Sequence, residues 1–457
     1  MAGIGFELRR ILRDDSYLGV LKAYGYAGLI ASGPWILSIV GVLLVGVLSA
    51  HIAQDRLSIT TFQVSVTYLI AFSLMLTGLF QLLFTRIIAD MLFAGAHATV
   101  MSALMLMLAV MTLVSAAFAA LMAGFFFRNM GQNYVWLMAA GFVELSDVWI
   151  LTIMATSIKN YKGLSVAYLL AYSSVVVLGV YCARYGLDGY LAAFDAGQAI
   201  LLVALAGLVT FQYPGRITWP SFLSTRRVAW TLVPVGLFFN AAVWADKLLF
   251  WWNPQTGGPV LGPLRASPLY DGPIFVSYLL IVPGLAVFLM RLETDFVEAY
   301  DRFYSAIREG GLYAEIASAK AGMVSAARRG FLDIAKVQGA IVLLCVPFAP
   351  RLLSALGYGA GYTRIFDFDV VGVSLQLLFM SILNVYFYLD RRDRSLLLVT
   401  AFLAGNVALT LLSLWMGPLA YGSGFMVSLL IVDTIGLSLL DRDFADLEYR
   451  TFMATSY

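Results

Sequence analysis

The chain has 457 residues, of which 61% are hydrophobic and only 12% are charged. Soluble proteins carry about 25% charged residues, so this composition excludes a soluble fold and predicts an all-α integral membrane protein. The formal net charge of +2 is too small to favour a nucleic acid as partner. The two cysteines and two histidines lack the clustered ligands that a metal site needs, so we expect neither a metal nor any other cofactor.

Twelve apolar stretches are long enough to cross a bilayer, since a spanning helix needs about 20 residues. They fall into six and six about a short inner loop at 212–227, which predicts two six-helix bundles around a central cavity. The first domain is then 1–211, starting with an amphipathic segment at 1–18, and the second is 228–457. The predicted spans are 19–50, 61–89, 98–127, 133–157, 163–183, 188–211, 228–252, 273–290, 331–350, 368–389, 395–416 and 420–440.

Two connecting segments are longer than the others. Residues 252–272 are rich in Gly and Pro, which is typical of an irregular loop. Residues 291–330 are rich in Ala, Arg and Glu and lack proline, so we expect an amphipathic helix along the inner face or a continuation of the eighth span. Neither segment is long enough for a soluble catalytic domain, and the sequence contains no Walker A motif. We therefore do not expect an enzyme.

The basic residues predict the orientation, because cytoplasmic loops carry an excess of Lys and Arg. With both termini in the cytoplasm, twenty basic residues lie on the inner side and six on the outer side. We therefore expect a multi-pass protein of the bacterial inner membrane with both termini and 291–330 inside, and with 252–272 outside. The six outer residues are Arg56, Arg128, Arg184, Arg265, Arg351 and Arg364.

A weak internal repeat relates the two halves. Arg86-Ile-Ile-Ala-Asp90 ends the second span and Arg291-Leu-Glu-Thr-Asp295 ends the eighth, at an offset of 205 residues. Transporters are often built from such repeats, with the transport path at their junction. Interrupted spans point to the same region, and prolines that would interrupt the first, seventh and eighth spans are Pro34, Pro234 and Pro283.

The seventh span contains two adjacent charges, Asp246 and Lys247. Charges in a span are costly and mark functional sites by default. Adjacent helical residues point about 100° apart, so we expect at least one of the two to reach another helix or the lumen, rather than a simple facing pair. The alternative is that Lys247 extends to the membrane interface. Asn240 and Trp244 belong to the same segment and to the same candidate path.

Other polar residues inside spans are further candidates for the substrate path. Glu144 and Asp147 are three residues apart and share one helix face, where two carboxylates suit a proton or cation. Asp195 has a similar status in the sixth span. For all three, the alternative is a polar contact between helices. Weaker candidates are Asp433, Asn384 and Asn406.

Two further groups of residues each have two interpretations. Basic residues at the cytoplasmic mouth suit an acidic or phosphate-bearing substrate, or simply reflect the topology. Aromatic residues near span ends suit an interfacial belt, or stack on sugar rings. The mouth residues are Lys22, Arg86, Arg226, Arg227 and Arg291, and the aromatic ones are Trp244, Phe250, Trp251, Trp252, Tyr300 and Tyr304. Asp367-Phe-Asp369 and Asp441-Arg-Asp443 match the short D-x-D form, a weak signal without a nucleotide-binding fold.

Several stretches resemble the Pel exopolysaccharide transporter family (PelG-like). They are Met1-Ala-Gly-Ile-Gly-Phe-Glu-Leu-Arg9, Ala23-Tyr-Gly-Tyr-Ala-Gly-Leu-Ile30, Ser32-Gly-Pro-Trp35 and Trp244-Ala-Asp-Lys247. The resemblance implies the fold of the multidrug/oligosaccharidyl-lipid/polysaccharide flippase superfamily, with a cavity that opens alternately to each side. It also implies export of a hexosamine-rich polysaccharide for the biofilm matrix. The implied partners are a cytosolic glycosyltransferase and membrane proteins, one of which senses cyclic-di-GMP.

Three functions therefore remain open at the level of sequence. The first is a polysaccharide transporter whose path is lined by the first and seventh spans. The second is a proton- or cation-coupled small-molecule antiporter of the same fold, which Glu144 and Asp147 would serve. The third is a membrane scaffold of a polysaccharide synthase complex, for which 291–330 offers a large inner surface.

Overall fold

The computed structural model describes residues 36–49, 56–157, 160–213 and 229–453, together with Gly25. Pro34, Lys22, Arg226 and Arg227 lie outside these residues, as does the predicted amphipathic start. The helices are α1 Ile36–Ser49, α2 Arg56–Phe93, α3 His97–Phe125, α4 Gln132–Ser157, α5 Tyr161–Cys182, α6 Gly186–Gln212, α7 Leu232–Trp252, α8 Pro268–Leu279, α9 Val282–Met290, α10 Val297–Arg308, α11 Tyr313–Ala355, α12 Thr363–Tyr388, α13 Arg392–Met416, α14 Ser423–Ala445 and α15 Leu447–Met453. The strands are β1 Gly258–Leu261 and β2 Leu264–Ala266.

The chain divides into two compact units. Among the described residues, the N-terminal unit lies within Gly33–Trp244 and Phe250–Ser267, and the C-terminal unit within Ala245–Leu249 and Pro268–Tyr457. Helix α7 therefore contributes residues to both units. The predicted boundary at 212–227 differs from this division, and the assignment of six spans to each bundle stays a prediction.

Nine helices of the described segments are long and apolar enough to cross a membrane, and the bent pair α8 and α9–α10 makes ten. One of the nine, Lys162–Gln212, contains both α5 and α6. These two fold back on each other, since a Cβ at Gly163 would lie 3.0 Å from Leu208 and one at Gly197 would lie 3.1 Å from the carbonyl of Ala171. The chain is thus an all-α integral membrane protein, and the predicted count of about twelve spans is consistent with it.

Aromatic side chains fill part of the core of the N-terminal unit. Phe62 of α2 packs on Tyr190 and Phe194 of α6, with ring centroids 5.5 and 6.4 Å apart. Helices α2 and α7 approach closely at a pair of glycines, because a Cβ at Gly78 would lie 2.7 Å from the carbonyl oxygen of Gly236. Such an approach leaves no space for a larger residue at either position.

The segment predicted as an irregular loop instead contains the β1–β2 hairpin. Its two-residue turn is Gly262-Pro263, and Gly262 has a φ of +53°, which glycine adopts without strain. The Arg265 backbone N–H donates to the Tyr68 hydroxyl at 3.1 Å, and that hydroxyl donates to the Arg265 carbonyl at 2.9 Å. The Arg265 guanidinium also donates to the carbonyls of Trp251 and Gly257 at 3.0 and 3.1 Å. These bonds give order to a Gly- and Pro-rich sequence.

Of the three prolines expected to interrupt spans, Pro234 and Pro283 lie in the described residues, and their effects differ. Pro283 lies in the first turn of α9, after a break that bends α8 against α9–α10 by 40°, so the predicted interruption is present. Pro234 is the third residue of α7. The prediction of a break there is wrong, because a first-turn proline has no intrahelical hydrogen bond to lose.

The segment 291–330 continues the eighth span, as one of the two expected forms. A π-helix at Arg291–Phe296 joins α9 to α10, and after a short turn α11 runs for 43 residues from Tyr313. The Glu315 carboxylate accepts from the Leu312 N–H at 3.1 Å and so caps the start of α11. The ninth span is therefore the later part of one long helix. It packs against α8 and α12 through the buried side chains Val276, Ala349, Leu353, Phe366 and Val370.

Candidate functional site

Asp246 and Lys247 of α7 form a buried ion pair in the C-terminal unit. The Lys247 ammonium lies 3.0 Å from Asp246 Oδ2. Lys247 is 5% exposed and Asp246 is 0% exposed. The expectation that these adjacent residues would not form a facing pair is wrong, because the Lys247 ammonium reaches both oxygens of Asp246. The expectation that one of them reaches another helix is met by Asp246.

Two further helices donate hydrogen bonds to the Asp246 carboxylate. The Tyr270 hydroxyl of α8 donates to Oδ2 at 2.6 Å, and the Asn406 amide of α13 donates to Oδ1 at 3.2 Å. The Thr410 hydroxyl donates in turn to Asn406 Oδ1 at 3.0 Å, which fixes the orientation of the amide. Asp246 is thus a buried acceptor shared by three helices, a network whose parts strengthen one another at low dielectric.

The Lys247 ammonium also faces two aromatic rings. It lies 5.3 Å from the ring centroid of Tyr278 and 5.1 Å from that of Phe425, within the range of cation–π attraction. The Tyr278 hydroxyl donates to Gln376 Oε1 at 2.8 Å. The ammonium is thus stabilised by one carboxylate and two ring faces.

A second carboxylate, that of Asp369 in α12, belongs to the same cluster. Asp369 is fully buried and interacts electrostatically with Asp246 and Lys247. We call Asp246, Lys247 and Asp369 the buried charge cluster. When all three are ionised it carries two negative charges and one positive charge, and burying an uncompensated charge is costly. The cluster therefore favours the uptake of one proton or one cation.

The N-terminal unit contains another group of acids, in which Asp147 and Asp195 are buried and Glu144 is half-buried. Asp147 Oδ2 accepts from the Thr112 hydroxyl at 2.8 Å. Asp195 is 7% exposed and interacts electrostatically with Glu144, and within the described part of the chain neither Asp195 oxygen has a hydrogen-bond partner. Glu144 and Asp147 therefore have different partners although they share a helix face. Asp433 in the C-terminal unit is also buried, and its oxygens likewise lack a hydrogen bond among the described residues.

The other two candidates on α7 are bonded within the N-terminal unit. The Asn240 amide donates to the Gly236 carbonyl at 3.0 Å, next to the close approach of α2. The Trp244 ring lies 6.2 Å from that of Trp251. The structure therefore does not place Asn240 or Trp244 in the buried charge cluster.

The two predicted mouth arginines that the structure describes are both ion-paired. Arg86 lies 3.1 Å from Asp90, and Arg291 lies 2.9 Å from Asp295 and from Asp333. Both R-x-x-x-D sequences thus form the same local pair. Arg291 also lines a cavity of about 800 Å³ in the C-terminal unit, together with three acidic residues and two further arginines. The paired acids reduce the positive charge that an acidic substrate would meet.

Sequence reasoning missed Tyr270 and Asp369. Tyr270 was assigned to the loop 252–272, whereas α8 begins at Pro268. Asp369 is the second residue of the predicted tenth span, 368–389, whereas α12 begins at Thr363, so that Asp369 lies more than a turn inside the helix. The signal that could have found Asp369 is its place in the short Asp367-Phe-Asp369 motif beside an apolar run.

The comparisons agree with this architecture. Residues 1–452 match the family described as "PelG: Putative exopolysaccharide Exporter (EPS-E)". The chain is similar in structure to the Vibrio cholerae MATE transporter VcmN (TM-score 0.65, 13% identity, 97% of this chain and 98% of that one). It is also similar to a MOP superfamily transporter from Pyrococcus furiosus (TM-score 0.62, 14% identity, 93% and 96% covered). At these identities the likeness concerns the fold. No curated protein sequence matches the chain.

Proposed function

Since the chain belongs to the PelG family of putative exopolysaccharide exporters, we propose that it moves a hexosamine-rich exopolysaccharide from the cytoplasm to the periplasm. In this proposal the protein resides in the bacterial inner membrane with both termini inside, and the polymer serves the biofilm matrix. The family and the MATE-like fold make the chain a membrane transporter; the sugar, the direction and the biological role are what we propose.

The observation that carries the proposal is the buried charge cluster in helices that are otherwise apolar. A charge at the centre of a membrane costs about 2.5–3.5 kcal/mol on insertion scales, and such residues mark substrate or ion pathways. Replacing a buried ion pair by apolar residues is often neutral or stabilising, so stability does not require this cluster. A role in transport supplies the reason for its presence.

The charge balance of the cluster suggests how it is used. With one uncompensated negative charge, the cluster binds a proton or a cation in one state and releases it when the surroundings change. Binding can favour one conformation only through a difference in affinity between the two states.

Purified chain in lipid vesicles tests the proposal. A glycosyltransferase partner and labelled sugar nucleotide are supplied on the side that carries residue 310, and polymer protected inside the vesicles is measured against vesicles without the chain. We expect protected polymer only when chain and partner are both present. Synthesis of polymer that stays entirely outside would contradict the proposal.

The same vesicles distinguish a transporter from a scaffold that holds the synthase complex at the membrane without moving polymer. In our proposal the chain also binds the cytosolic glycosyltransferase and membrane partners of a synthase complex. A scaffold would retain the glycosyltransferase in a pull-down while moving no polymer. Retention together with polymer uptake supports a transporter that is also part of a complex.

A second candidate function is proton- or cation-coupled antiport of a small molecule. It is favoured by Glu144 and Asp195, because two interacting carboxylates in a mainly apolar helix bundle suit a coupling ion. Vesicles loaded with a pH-sensitive dye test it. Release of internal protons on addition of small cationic compounds, without any polymer uptake, would favour antiport over export.

A further inference from the structure

A π-helix interrupts the regular hydrogen bonding between α9 and α10. It covers Arg291–Phe296, and the Thr294 hydroxyl donates to the Leu289 carbonyl, five residues earlier, at 3.2 Å. Single π-turns inside α-helices are rare and occur frequently at functional sites. Glu293 lies in this π-helical turn, and its side chain contacts α12.

The Glu293 carboxylate is held in place at both oxygens. The Asn384 amide donates to Oε1 at 2.8 Å, and the Tyr388 hydroxyl donates to Oε2 at 3.3 Å. An ionised carboxylate has about four acceptor sites, so capacity for further donors remains after these two bonds. Glu293, Asn384 and Tyr388 are all half-buried. The carboxylate is therefore fixed in orientation, and none of the three residues is fully buried.

Tyr388, which donates to this carboxylate, is the first of three tyrosines whose rings lie side by side. The Tyr300 ring lies 5.5 Å from that of Tyr388 and 4.5 Å from that of Tyr304. Beneath them are Phe296 and Phe303, which are fully buried and contact the tyrosines edge-on or at a tilt. The tyrosine rings are tilted against one another and remain half-buried, so each presents part of its surface outward. The phenylalanines hold that surface rigid.

The Glu293 carboxylate and the tyrosine rings together favour one class of ligand. A pyranose residue has one apolar face of C–H groups, which packs on aromatic rings, and a rim of hydroxyl or amide N–H donors. The fixed carboxylate accepts such donors through charge-assisted hydrogen bonds. An acidic or phosphate-bearing ligand is disfavoured by the charge of Glu293, and an acyl chain would leave that charge unpaired. A hexosamine, with both hydroxyl and N–H donors, matches the group.

We propose that Glu293, Asn384, Tyr300, Tyr304 and Tyr388 form a binding site for a hexosamine residue of the transported polymer. This inference deepens the proposed function and rests on it. The site lies at the predicted cytoplasmic end of the eighth span, where the polymer would enter. Interfacial anchoring is the alternative role of the tyrosines, and it does not account for the carboxylate that Asn384 and Tyr388 hold beside them.

Saturation-transfer NMR on the full chain in nanodiscs tests the site, with an N-acetylhexosamine trisaccharide as the probe. We expect saturable binding by the unchanged chain. Glu293→Gln and Tyr300→Leu should each weaken it at least tenfold, while Tyr300→Phe, which keeps the ring, should retain it. The matched control is Tyr362→Leu, since Tyr362 forms a tyrosine pair with Tyr358 at 5.3 Å elsewhere in the same unit.

The probe series also tests the charge argument. Glucuronic acid should show no saturable binding to the unchanged chain, because its carboxylate meets Glu293. Elution as a single species on size exclusion verifies the folding of each variant. Tyr388→Phe is a milder variant that loses only a hydroxyl, and it should weaken trisaccharide binding severalfold.

Two results would overturn the site. One is the absence of saturable trisaccharide binding by the unchanged chain, and the other is unchanged binding by both Glu293→Gln and Tyr300→Leu. If vesicles take up polymer and either result is found, the site assignment fails and the transport proposal stands. If the variants lose binding as expected and the unchanged chain moves no polymer, the transport proposal fails instead.

Discussion

At the residue scale, Asp246 and Lys247 decide whether the buried charge cluster is used in transport. Asp246→Asn and Lys247→Met each remove a charge and keep the approximate volume, so neither should open a cavity. If the cluster lines the path, each variant should abolish polymer export at near-normal protein level, measured as secreted polymer in a producing strain.

The matched control is Lys336→Met. Lys336 is also a lysine within an apolar helix, but its side chain is 73% exposed and lies 3.3 Å from Asp333. Its loss should leave export unchanged. Normal export by both Asp246→Asn and Lys247→Met would defeat the site assignment, though not the transporter assignment.

For Asp195, we expect that removing the charge increases the stability of the protein. Because its buried oxygens have no hydrogen-bond partner among the described residues, Asp195→Asn should relieve a desolvation cost. We expect the midpoint of thermal unfolding to rise by about 2–4 °C, the shift that 1 kcal/mol produces in a unit of roughly 200 residues. Thermal unfolding in detergent, followed by intrinsic fluorescence, measures it.

Asp188 provides the control within the same helix. It lies in the first turn of α6, where a negative charge interacts favourably with the helix dipole, so Asp188→Asn should lower the midpoint. A lower midpoint for Asp195→Asn would show that its carboxylate is stabilised in a way that the contacts do not reveal.

The sequence identified Asp246 and Lys247 because charges stand out in an apolar run. It did not identify Tyr270 and Asp369 as their neighbours. Contacts between residues distant in sequence depend on helix packing, which the hydropathy pattern of a single span does not encode. Whether any of these residues lines a path stays a prediction.

At the scale of elements, the crossing of α2 and α7 is sensitive to side-chain size. A Cβ at Gly78 would lie 2.7 Å from the Gly236 carbonyl oxygen, so Gly78→Val must separate the two helices. Overpacking of this kind costs about 1–3 kcal/mol. We expect a clear loss of monodisperse protein on fluorescence-detected size exclusion.

Gly207 in α6 is the comparison site, since a Cβ there meets nothing within 4 Å. Gly207→Val should give a normal elution profile, because the added methyl groups occupy open space. Equal profiles for Gly78→Val and Gly207→Val would mean that the close approach of α2 and α7 is not required for folding.

The existence of the spans in the described segments was predictable from the sequence, and the residues at which they begin and end were not. Runs of about 20 apolar residues are an unambiguous signal, but α11 begins 18 residues before the predicted ninth span. Its first part alternates small apolar and charged residues, which a hydropathy threshold excludes from a span. The β-hairpin was missed because its order comes from Arg265 and Tyr68, which are 197 residues apart.

At the scale of the whole molecule, the orientation in the membrane is the open question. Positive charge predicts that residue 310 is inside and residue 260 outside. Reporter fusions at these two positions, with one reporter active only in the cytoplasm and one only in the periplasm, should give opposite results. The same side for both would contradict the twelve-span topology.

The fold class followed from composition, and the family followed from short N-terminal and α7 stretches that resemble it. The polymer, its direction and its partners do not follow from either, because a fold hosts many functions and function depends on its sites.

The length of α11 has a mechanical consequence. At a rise of 1.5 Å per residue, its 43 residues extend about 65 Å, roughly twice the thickness of the hydrocarbon core. Pro347 and Pro350 lie near its far end, and the part before them is about 50 Å long. A tilt of roughly 10° about that point would displace Tyr313 by about 9 Å. A fluorophore attached near residue 313 would therefore move further than any residue of α11 inside the bilayer. Its distance to a quencher in the lipid headgroups would then report small changes in the tilt of this helix.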